Sequence, residues 1–387
     1  MEREELSAWL RLAWRPGIGP AAARRLLAAF GLPQQIFRQP AAALGSVLGA
    51  AQVQALQQLP EGFSAALATT WDWLQRDDEH GAVRRILTLA DPDYPAALLQ
   101  TADPPLLLYT LGAAHLRLGD LPATRALAIV GSRNPTPQGA SDARLFARHL
   151  AGAGLTIVSG LALGIDGAAH EGALEGGATG VDAPAATVAV VGTGLDRVYP
   201  PRHHALARRI ATRGLIVSEF ALGTPPLTPN FPRRNRLIAG LSQGTLVVEA
   251  ALASGSLITA RLAVEQGREV FAIPGSIHAP QSRGCHALIR QGAKLVESAQ
   301  DILEELPAFS AAARPSKAVA EPDAPSRELP EDEGLLAQMG YAPVSLDALC
   351  ARTGYDVARL QVALLELELD GQVGRLPGGL FQRMASG

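Results

Sequence analysis

Cysteines and long apolar runs are both scarce in this chain of 387 residues. Its two cysteines, Cys285 and Cys350, are far apart and lack metal-ligand spacing, which argues against a disulfide framework or zinc site and favours a reducing compartment. No stretch reaches the roughly 20 apolar residues that a membrane span needs, and no apolar signal core follows the charged residues after Met1. We therefore expect a cytoplasmic protein with no metal and no membrane association.

Standard nucleotide-binding motifs are also missing. The sequence has no Gly-x-Gly-x-x-Gly after the first strand of its strand–helix region, and no Gly-x-x-x-x-Gly-Lys-Ser/Thr loop. Gly192-Thr193-Gly194 alone is a weak signal. These absences argue against a dinucleotide or ATP site, and we expect no cofactor.

An excess of positive charge is absent as well. The formal net charge is −3, which argues against a protein coated with cations but is compatible with one basic groove. The length predicts two to four domains, and the apolar content of nearly half indicates that most of the chain folds.

Residues 80–307 have the most regular pattern. From Ala126 onward, short apolar strands alternate with helices, which predicts a parallel, doubly wound α/β sheet. Two short apolar segments bounded by prolines precede it and predict an antiparallel extension, so the sheet as a whole is mostly parallel. Glycines and polar residues follow the strands, at the edge where such sheets bind ligands.

The residues before this region, 1–75, predict short helices. Gly17-Ile18-Gly19-Pro20 joins two of them in the pattern of a helix-hairpin-helix. Such a turn can present backbone N–H groups to a DNA phosphate, but an ordinary turn between packed helices is the favoured interpretation.

The residues after this region predict a linker and a small domain. Residues 308–334 are rich in alanine, proline, serine and glutamate, which is typical of a flexible linker. Residues 335–387 predict three short helices and a hairpin, the pattern of a winged helix. Its recognition-position helix, Tyr355–Leu369, is acidic, so contact with a protein or weak contact with DNA is favoured over sequence-specific reading.

Two glycine-containing loops of the central region are candidate anion sites. Gly131-Ser132-Arg133 follows a buried strand, and a guanidinium there fits a phosphate. The second loop runs from Ser159-Gly160 to Gly167; its glycines allow close approach, and the helix after Gly164 offers free N–H groups. We expect Asp166 to cap that helix. His170 has no companion at metal spacing and is interpreted as an ordinary helix residue.

The segment from Phe231 to Ala260 is the strongest candidate site. It predicts a helix, a buried strand, a glycine turn at Ser254-Gly255-Ser256 and a second helix. An aromatic ring beside cations is typical of single-stranded nucleic acid binding; the residues are Phe231, Arg233, Arg234, Asn235 and Arg236. Clustered cations destabilise a helix N-terminus, so we expect an anion to offset them. Alternatively, the phenylalanine staples the helix and the arginines pair with nearby carboxylates.

Together these segments resemble the DNA-processing protein A family, also called Smf, of bacterial transformation proteins. The resemblance spans the whole central region, and the flanking segments agree with it in order. Besides the glycine loops, it rests on Gly194-Leu195-Asp196, Tyr199-Pro200, Ser218-Glu219, Asn230–Ser242, Ser254–Ala260, Pro274-Gly275 and Gly284-Cys285-His286.

The resemblance implies an extended Rossmann-like domain that binds single-stranded DNA, between an N-terminal helical, SAM-like domain and a C-terminal winged helix. It also implies protection of incoming strands in natural transformation and loading of the RecA recombinase onto them. By motif position, Arg133, Phe231 and Ser254-Gly255-Ser256 would line the DNA pocket, and a homodimer would form near Ile289 and Leu295. Many members carry a lysine where this chain has Thr228, which implies that a phosphate contact shifts to the arginines.

Two other functions are weighed against this one. Nucleotide phosphoribohydrolases carry a glycine-rich phosphate loop that Ser242–Glu249 resembles, but the paired glycines are absent and Glu249 lies one residue later, on the other face of its strand. We therefore expect no catalytic residue and no enzyme activity. The third function is that of a scaffold with a vestigial pocket.

Overall fold

The computed structural model describes residues 1–14, 17–76, 81–180, 182–306 and 331–384. Residues 308–330 of the predicted linker lie outside this part of the chain. None of the described helices is both long enough and apolar enough to cross a bilayer.

The N-terminal region is helical, as the sequence predicts. Its helices are α1 (Arg3–Ala13), α2 (Pro20–Phe30), α3 (Pro33–Ile36), α4 (Ala41–Leu44), α5 (Ala50–Gln57) and α6 (Phe63–Gln75). Leu12, Leu26 and Ile36 join α1, α2 and α3 in one apolar core. Pro20 begins α2, where the N–H that proline lacks would have had no intrahelical partner.

Within the described residues, nine strands form the central sheet in the order β1-β2-β6-β5-β4-β3-β7-β8-β9. The strands are β1 (Ala82–Thr88), β2 (Leu107–Ala113), β3 (Ala126–Val130), β4 (Thr156–Ser159), β5 (Thr187–Val190), β6 (Leu215–Ser218), β7 (Gly244–Val247), β8 (Glu269–Ala272) and β9 (Lys294–Leu295). β1 pairs with β2 and β2 with β6 in antiparallel register, and the other pairs are parallel. The mostly parallel sheet with an antiparallel extension is thus confirmed.

Helices cover both faces of this sheet. They are α7 (Ala96–Leu99), α8 (Pro137–Gly152), α9 (Ile165–Gly176), α10 (His204–Arg213), α11 (Asn230–Gly240), α12 (Ser256–Glu265), α13 (Arg283–Arg290) and α14 (Ala299–Glu305). Because strand side chains alternate, Leu127 and Ile129 pack in the core with α8 and α9, whereas Ala128 and Val130 pack in the core with α11 and α12. β3 is therefore apolar along its whole length, as buried parallel strands are.

The order of the strands reverses beside β3. The chain builds β4, β5 and β6 on one side of β3 and then places β7 on the other side. Where a parallel sheet reverses in this way, the loops after the two neighbouring strands separate and leave a crevice. This point lies between the loops after β3 and β7.

Residues 331–384, the described part of the C-terminal region, form three helices and a small sheet. These are α15 (Glu331–Met339), β10 (Val344–Ser345), α16 (Leu346–Thr353), α17 (Val357–Leu369), β11 (Val373–Leu376) and β12 (Leu380–Arg383). The sheet has the order β10-β12-β11 and is antiparallel. The sequence predicts the three helices and the β11–β12 hairpin but not the two-residue β10, which is too short to leave a periodic pattern.

Candidate functional site

A crevice of about 440 Å³ opens at the carboxyl ends of β3 and β7. It is bounded by the loop after β3, the start of α9, the first turns of α11 and the turn before α12. The residues that line it include Gly131, Ser132, Arg133, Ala162, Asp166, Phe231, Arg234, Asn235, Ser254, Gly255 and Ser256. Both loops of the strand-order reversal therefore contribute to one cavity.

Glycine holds the first loop close to its neighbours. A side chain at Gly131 would bring its Cβ to 2.7 Å from Ile165 and 2.9 Å from the carbonyl of Glu249. Gly164 has a φ of +80°, and the residue after it, Ile165, donates its N–H to Ser132 O at 3.1 Å. The first and second glycine loops are thus joined directly beneath the crevice.

Arg133 is the exposed cation of the crevice. Its guanidinium carbon lies 5.5 Å from the centre of the Phe231 ring. No carboxylate lies within ion-pairing distance of it among the residues that the structure describes. The predicted position in the crevice agrees with this geometry, which leaves the guanidinium available to an anion.

Phe231 lies in the first turn of α11 and is half-buried. One edge of its ring faces Gly192, where a Cβ would come within 3.0 Å. Its other neighbour is Tyr199, whose ring centre is 5.8 Å away at an interplanar angle of 36°. Tyr199 is 43% exposed and lines a smaller cavity of about 150 Å³ beside Phe231. Sequence reasoning did not include Tyr199 among the site residues, although an aromatic residue soon after a strand-end glycine loop was an available signal.

The three arginines of α11 point in different directions. Arg234 is 4% exposed and donates to Gly160 O at 2.5 Å and to Val190 O. Burial lowers the pKa of its guanidinium to about 10, the positive charge of Arg133 adds to this, and Asp166 opposes it. Arg234 therefore joins the second glycine loop to the sheet through Nη1, and its Nε donates to Asn235 Oδ1 at 3.1 Å.

Arg233 and Arg236 lie on another side of α11 and pair with Glu219. Arg233 is 3.3 Å from this carboxylate, and Arg236 donates to the same oxygen. Residues three apart on a helix share a face, whereas Arg234, the residue after Arg233, is rotated from it by about 100°. The structure thus shows Arg233 and Arg236 paired with a carboxylate, which is the alternative that the sequence analysis considered.

Asp166 does not cap α9, contrary to the sequence prediction. Gly164 occupies the N-cap position, and Asp166 lies two residues later, where its carboxylate accepts the Ala162 N–H at 3.3 Å. Burial raises the pKa of Asp166, while Arg234 and the loop N–H groups oppose this shift. The carboxylate thus holds the second glycine loop from below, and the loop closes one side of the crevice.

Asn235 and the turn Ser254-Gly255-Ser256 form the far wall of the crevice. The Asn235 amide donates to Gly255 O at 3.3 Å, and the two serine hydroxyls lie 2.7 Å apart. α12 begins at Ser256, and the first N–H groups of the helix donate to the turn before it, to the hydroxyl and carbonyl of Ser254 and to Gly255 O. Thr228 is exposed and lies before α11.

His170 is fully buried in α9, as an ordinary helix residue. The Thr187 hydroxyl donates to Ile157 O at 2.6 Å, so the 2.7 Å contact with His170 requires Nδ1 of the imidazole to donate. Its Nε2 has no hydrogen-bond partner among the described residues. Burial lowers the pKa of His170 to about 3, and the charges of His203 and Arg234 contribute. In the described part of the chain, no group of three potential metal ligands includes it.

The buried His170 predicts how the folding stability of the protein changes as the pH falls. Between pH 6.5 and about 3 the unfolded chain binds the proton and the folded chain does not, so stability falls with falling pH, by up to about 1.4 kcal/mol per unit. The variant His170→Asn keeps a donor toward Thr187 but does not titrate, so its folding stability should fall less steeply with falling pH. Urea unfolding at pH 7.5, 6.5, 5.5 and 4.5 measures both slopes, and identical slopes would contradict the assignment.

Glu249 is held away from the crevice. Its carboxylate accepts the Thr136 N–H at 2.9 Å and the Thr136 hydroxyl at 2.6 Å, at the start of α8. Burial raises its pKa, and the two hydrogen bonds from Thr136 oppose that rise. The carboxylate that a phosphoribohydrolase would direct at its substrate is here a structural acceptor on the face of the sheet covered by α8.

Comparison with known proteins agrees with this architecture. A family profile described as DNA recombination-mediator protein A matches residues 85–307, and one described as DprA winged helix domain matches residues 319–379, which confirms the C-terminal prediction. Protein Smf of Escherichia coli strain K12 is 45% identical over 311 residues, which are 79% of this chain and 78% of that protein. The DNA processing protein DprA of Streptococcus pneumoniae is 47% identical over 218 residues, 56% of this chain and 73% of that protein.

A solved structure extends the match to three dimensions. The X-ray structure of DNA processing protein A from Streptococcus pneumoniae has a TM-score of 0.64 and 35% sequence identity, and the alignment covers 79% of this chain and 98% of that one. The family profile matches more than half of the chain, and the strand-order reversal carries the loops on which the sequence resemblance rests. The chain therefore belongs to the DNA recombination-mediator protein A family.

Proposed function

We propose that the crevice binds single-stranded DNA, with a phosphate at Arg133 and a base against Phe231. The observation that carries this proposal is the pairing of an exposed guanidinium, with no carboxylate of the described residues at ion-pairing distance, and a half-exposed aromatic ring 5.5 Å away. A cation for the backbone and a ring for the base are the two elements that single-strand binding requires. The Ser254-Gly255-Ser256 turn adds two hydroxyl groups, 2.7 Å apart, on the opposite wall.

The dimensions of the crevice favour an unpaired strand. The ring of Phe231 faces a cavity of about 440 Å³ on one side and a smaller one on the other. A base can reach such a surface only after it leaves the stack of a duplex, which costs a few kcal/mol. Tyr199 offers a second ring at 5.8 Å, so the aromatic surface extends beyond one base.

Fluorescence anisotropy with labelled oligo-dT and with a blunt hairpin duplex of equal length tests the proposal. We expect the single strand to bind more tightly, with log K falling linearly with log salt at a slope of about −0.7 for each phosphate neutralised. Equal affinity for both DNA forms, or binding that does not change with salt, would contradict the proposal.

We extend this proposal to DNA processing in transformation, with protection of the incoming strand and loading of RecA. Two relatives bear the names DNA processing protein DprA and Protein Smf. A strand held by one cation and one ring leaves most of its length accessible to a recombinase. The loading step is tested by measuring strand exchange by RecA on DNA precoated with a single-strand binding protein, with and without this chain. If the chain did not change the rate, the proposal of RecA loading would be wrong.

A homodimer is part of the proposal. β9 is an edge strand of the central sheet, and its Leu295 is 44% exposed. Ile289, on the adjacent α13, is partly buried against the core. A short edge strand with an exposed apolar side chain suits a symmetric contact. Sedimentation of the wild type and of Leu295→Asp measures this, and a monomeric wild type would exclude the dimer.

The phosphoribohydrolase alternative has a separate test. With Glu249 bonded to Thr136, we propose that the chain is not an enzyme of that group. Incubation with nucleoside monophosphates should release no free base. Release that disappears in Glu249→Gln would reverse this conclusion.

A further inference from the structure

A basic surface begins where the crevice ends. From Arg197 to Ser218 the sequence has five arginines and two histidines but no aspartate or glutamate, although the whole chain has a formal net charge of −3. This segment contains Tyr199 and Pro200, which line the small cavity beside Phe231, and then α10. The segment therefore begins at the candidate DNA site.

Three of these five arginines interact with other groups of the protein, two through hydrogen bonds and one through its charge alone. Arg197 pairs with the aspartate that precedes it, at 2.9 Å. Arg213 donates to backbone carbonyls at the end of α9. Arg209 adds to the lowered pKa of Glu175 on α9, after the larger effect of the hydrogen bond from Arg144. These arginines have a structural explanation.

Arg202 and Arg208 have no such explanation. Both are exposed, and neither has a carboxylate at ion-pairing distance within the described ranges. α10 buries Leu206, Ala207, Ile210 and Ala211, which leaves Arg208 on its outer side. His204 precedes Arg208 by four residues and so shares that side of the helix. We call Arg202, His204 and Arg208 the basic ridge.

The basic ridge is attached to the crevice. His203 Nδ1 lies 3.1 Å from Leu161 O in the second glycine loop. Gly167 leaves the space for that ring, because a Cβ there would come within 2.8 Å of the imidazole. The residues on both sides of His203, Arg202 and His204, are exposed. The start of the ridge therefore has a fixed position beside the loop that closes the crevice.

We propose that the basic ridge binds the backbone of the same DNA strand after it leaves the crevice past Tyr199. This proposal rests on the function proposed above and adds a direction for the strand and residues that contact it. Arg202 and Arg208 present exposed guanidinium groups, which bind phosphates irrespective of sequence. The proposal also predicts that affinity depends on oligonucleotide length.

The test compares the double variant Arg202→Ala/Arg208→Ala with Arg25→Ala/Arg148→Ala, which removes two exposed arginines from α2 and α8. Binding of dT6 and dT25 is measured by anisotropy at several salt concentrations. For dT25 we expect the ridge variant to bind roughly three- to tenfold more weakly, with a salt slope smaller by about 1.4, corresponding to two lost phosphate contacts. Binding of dT6, which fills only the crevice, should be unchanged.

Three other results of this experiment would contradict the proposal. If the ridge variant kept the wild-type dT25 affinity and salt slope, the proposal would be wrong. If the control variant lost as much dT25 affinity as the ridge variant, the loss would reflect the net charge of the protein and not a contact at the ridge, and the proposal would again be wrong. An equal loss for dT6 and dT25 would place Arg202 or Arg208 within the crevice site and also reject the ridge. A failure of the function proposed above is distinguishable, because it would show as unaltered dT6 binding after Arg133 and Phe231 are replaced.

Discussion

Replacing Phe231 by alanine should weaken binding of a short oligo-dT by roughly 5- to 150-fold, because one base loses a stacking contact that contributes about 1–3 kcal/mol. Adding Arg133→Ala should weaken it further and reduce the salt slope by about 0.7, since one phosphate loses its cation. The two side chains touch the same region, with the guanidinium 5.5 Å from the ring, so we expect their effects to be non-additive. Anisotropy titrations of both single variants and the double variant measure these effects.

Two variants control this experiment. Arg233→Ala removes an arginine from the same turn of α11, but one that pairs with Glu219 on another side of the helix, and should leave DNA affinity nearly unchanged. Phe231→Tyr keeps a ring and should retain most of the binding. Hydrogen exchange of α11 shows whether each variant is folded. Retained tight binding by a folded Arg133→Ala/Phe231→Ala protein would move the site elsewhere and favour a scaffold with a vestigial pocket.

Much of the central fold is predictable because its signals are local. Strands buried on both faces are rich in apolar residues: β3 is apolar at every position, and β4 to β8 are short apolar runs with serine, threonine or, in β8, one glutamate at some positions. Glycines mark the turns that follow, because the loops there approach one another too closely for a Cβ, as at Gly131. β9 and β10, with two residues each, were missed, since two residues cannot show a period.

The roles of the α11 arginines could not be predicted from composition. Three cations within four residues look like one cluster in a sequence, but a helix distributes them over different directions. Their partners, Glu219 and the carbonyl oxygens of Gly160 and Val190, come from strands and loops distant in the chain. Only the three-dimensional structure shows that Arg133 has no carboxylate at ion-pairing distance among the described residues, whereas the three arginines of α11 are bonded to other groups of the protein.

Arg234→Met should cost about 3–5 kcal/mol of folding stability, because a buried cation with directed partners is removed while those partners stay buried. The carbonyls of Gly160 and Val190 would lose their donor. The buried carboxylate of Asp166 would lose the charge that opposes its raised pKa. Urea titration measures the loss of folding stability, and hydrogen exchange in peptides that cover β4, β5 and the second glycine loop shows where the structure is destabilised.

A double-mutant cycle with Asp166→Asn separates a structural role from a DNA contact. If Arg234 stabilises the loop partly through Asp166, Arg234→Met/Asp166→Asn should be less destabilised than the sum of the single variants. Arg233→Met, one residue away, half-exposed and paired at 3.3 Å, should cost less than about 1 kcal/mol. If Arg234→Met kept wild-type stability but lost DNA affinity, the guanidinium would act on the DNA, and the crevice would need a second phosphate site beside that of Arg133. Because Arg234 is 4% exposed and its Nη1 and Nε donate to acceptors of the protein, we expect stability to fall first and DNA binding to fall only as the loop loosens.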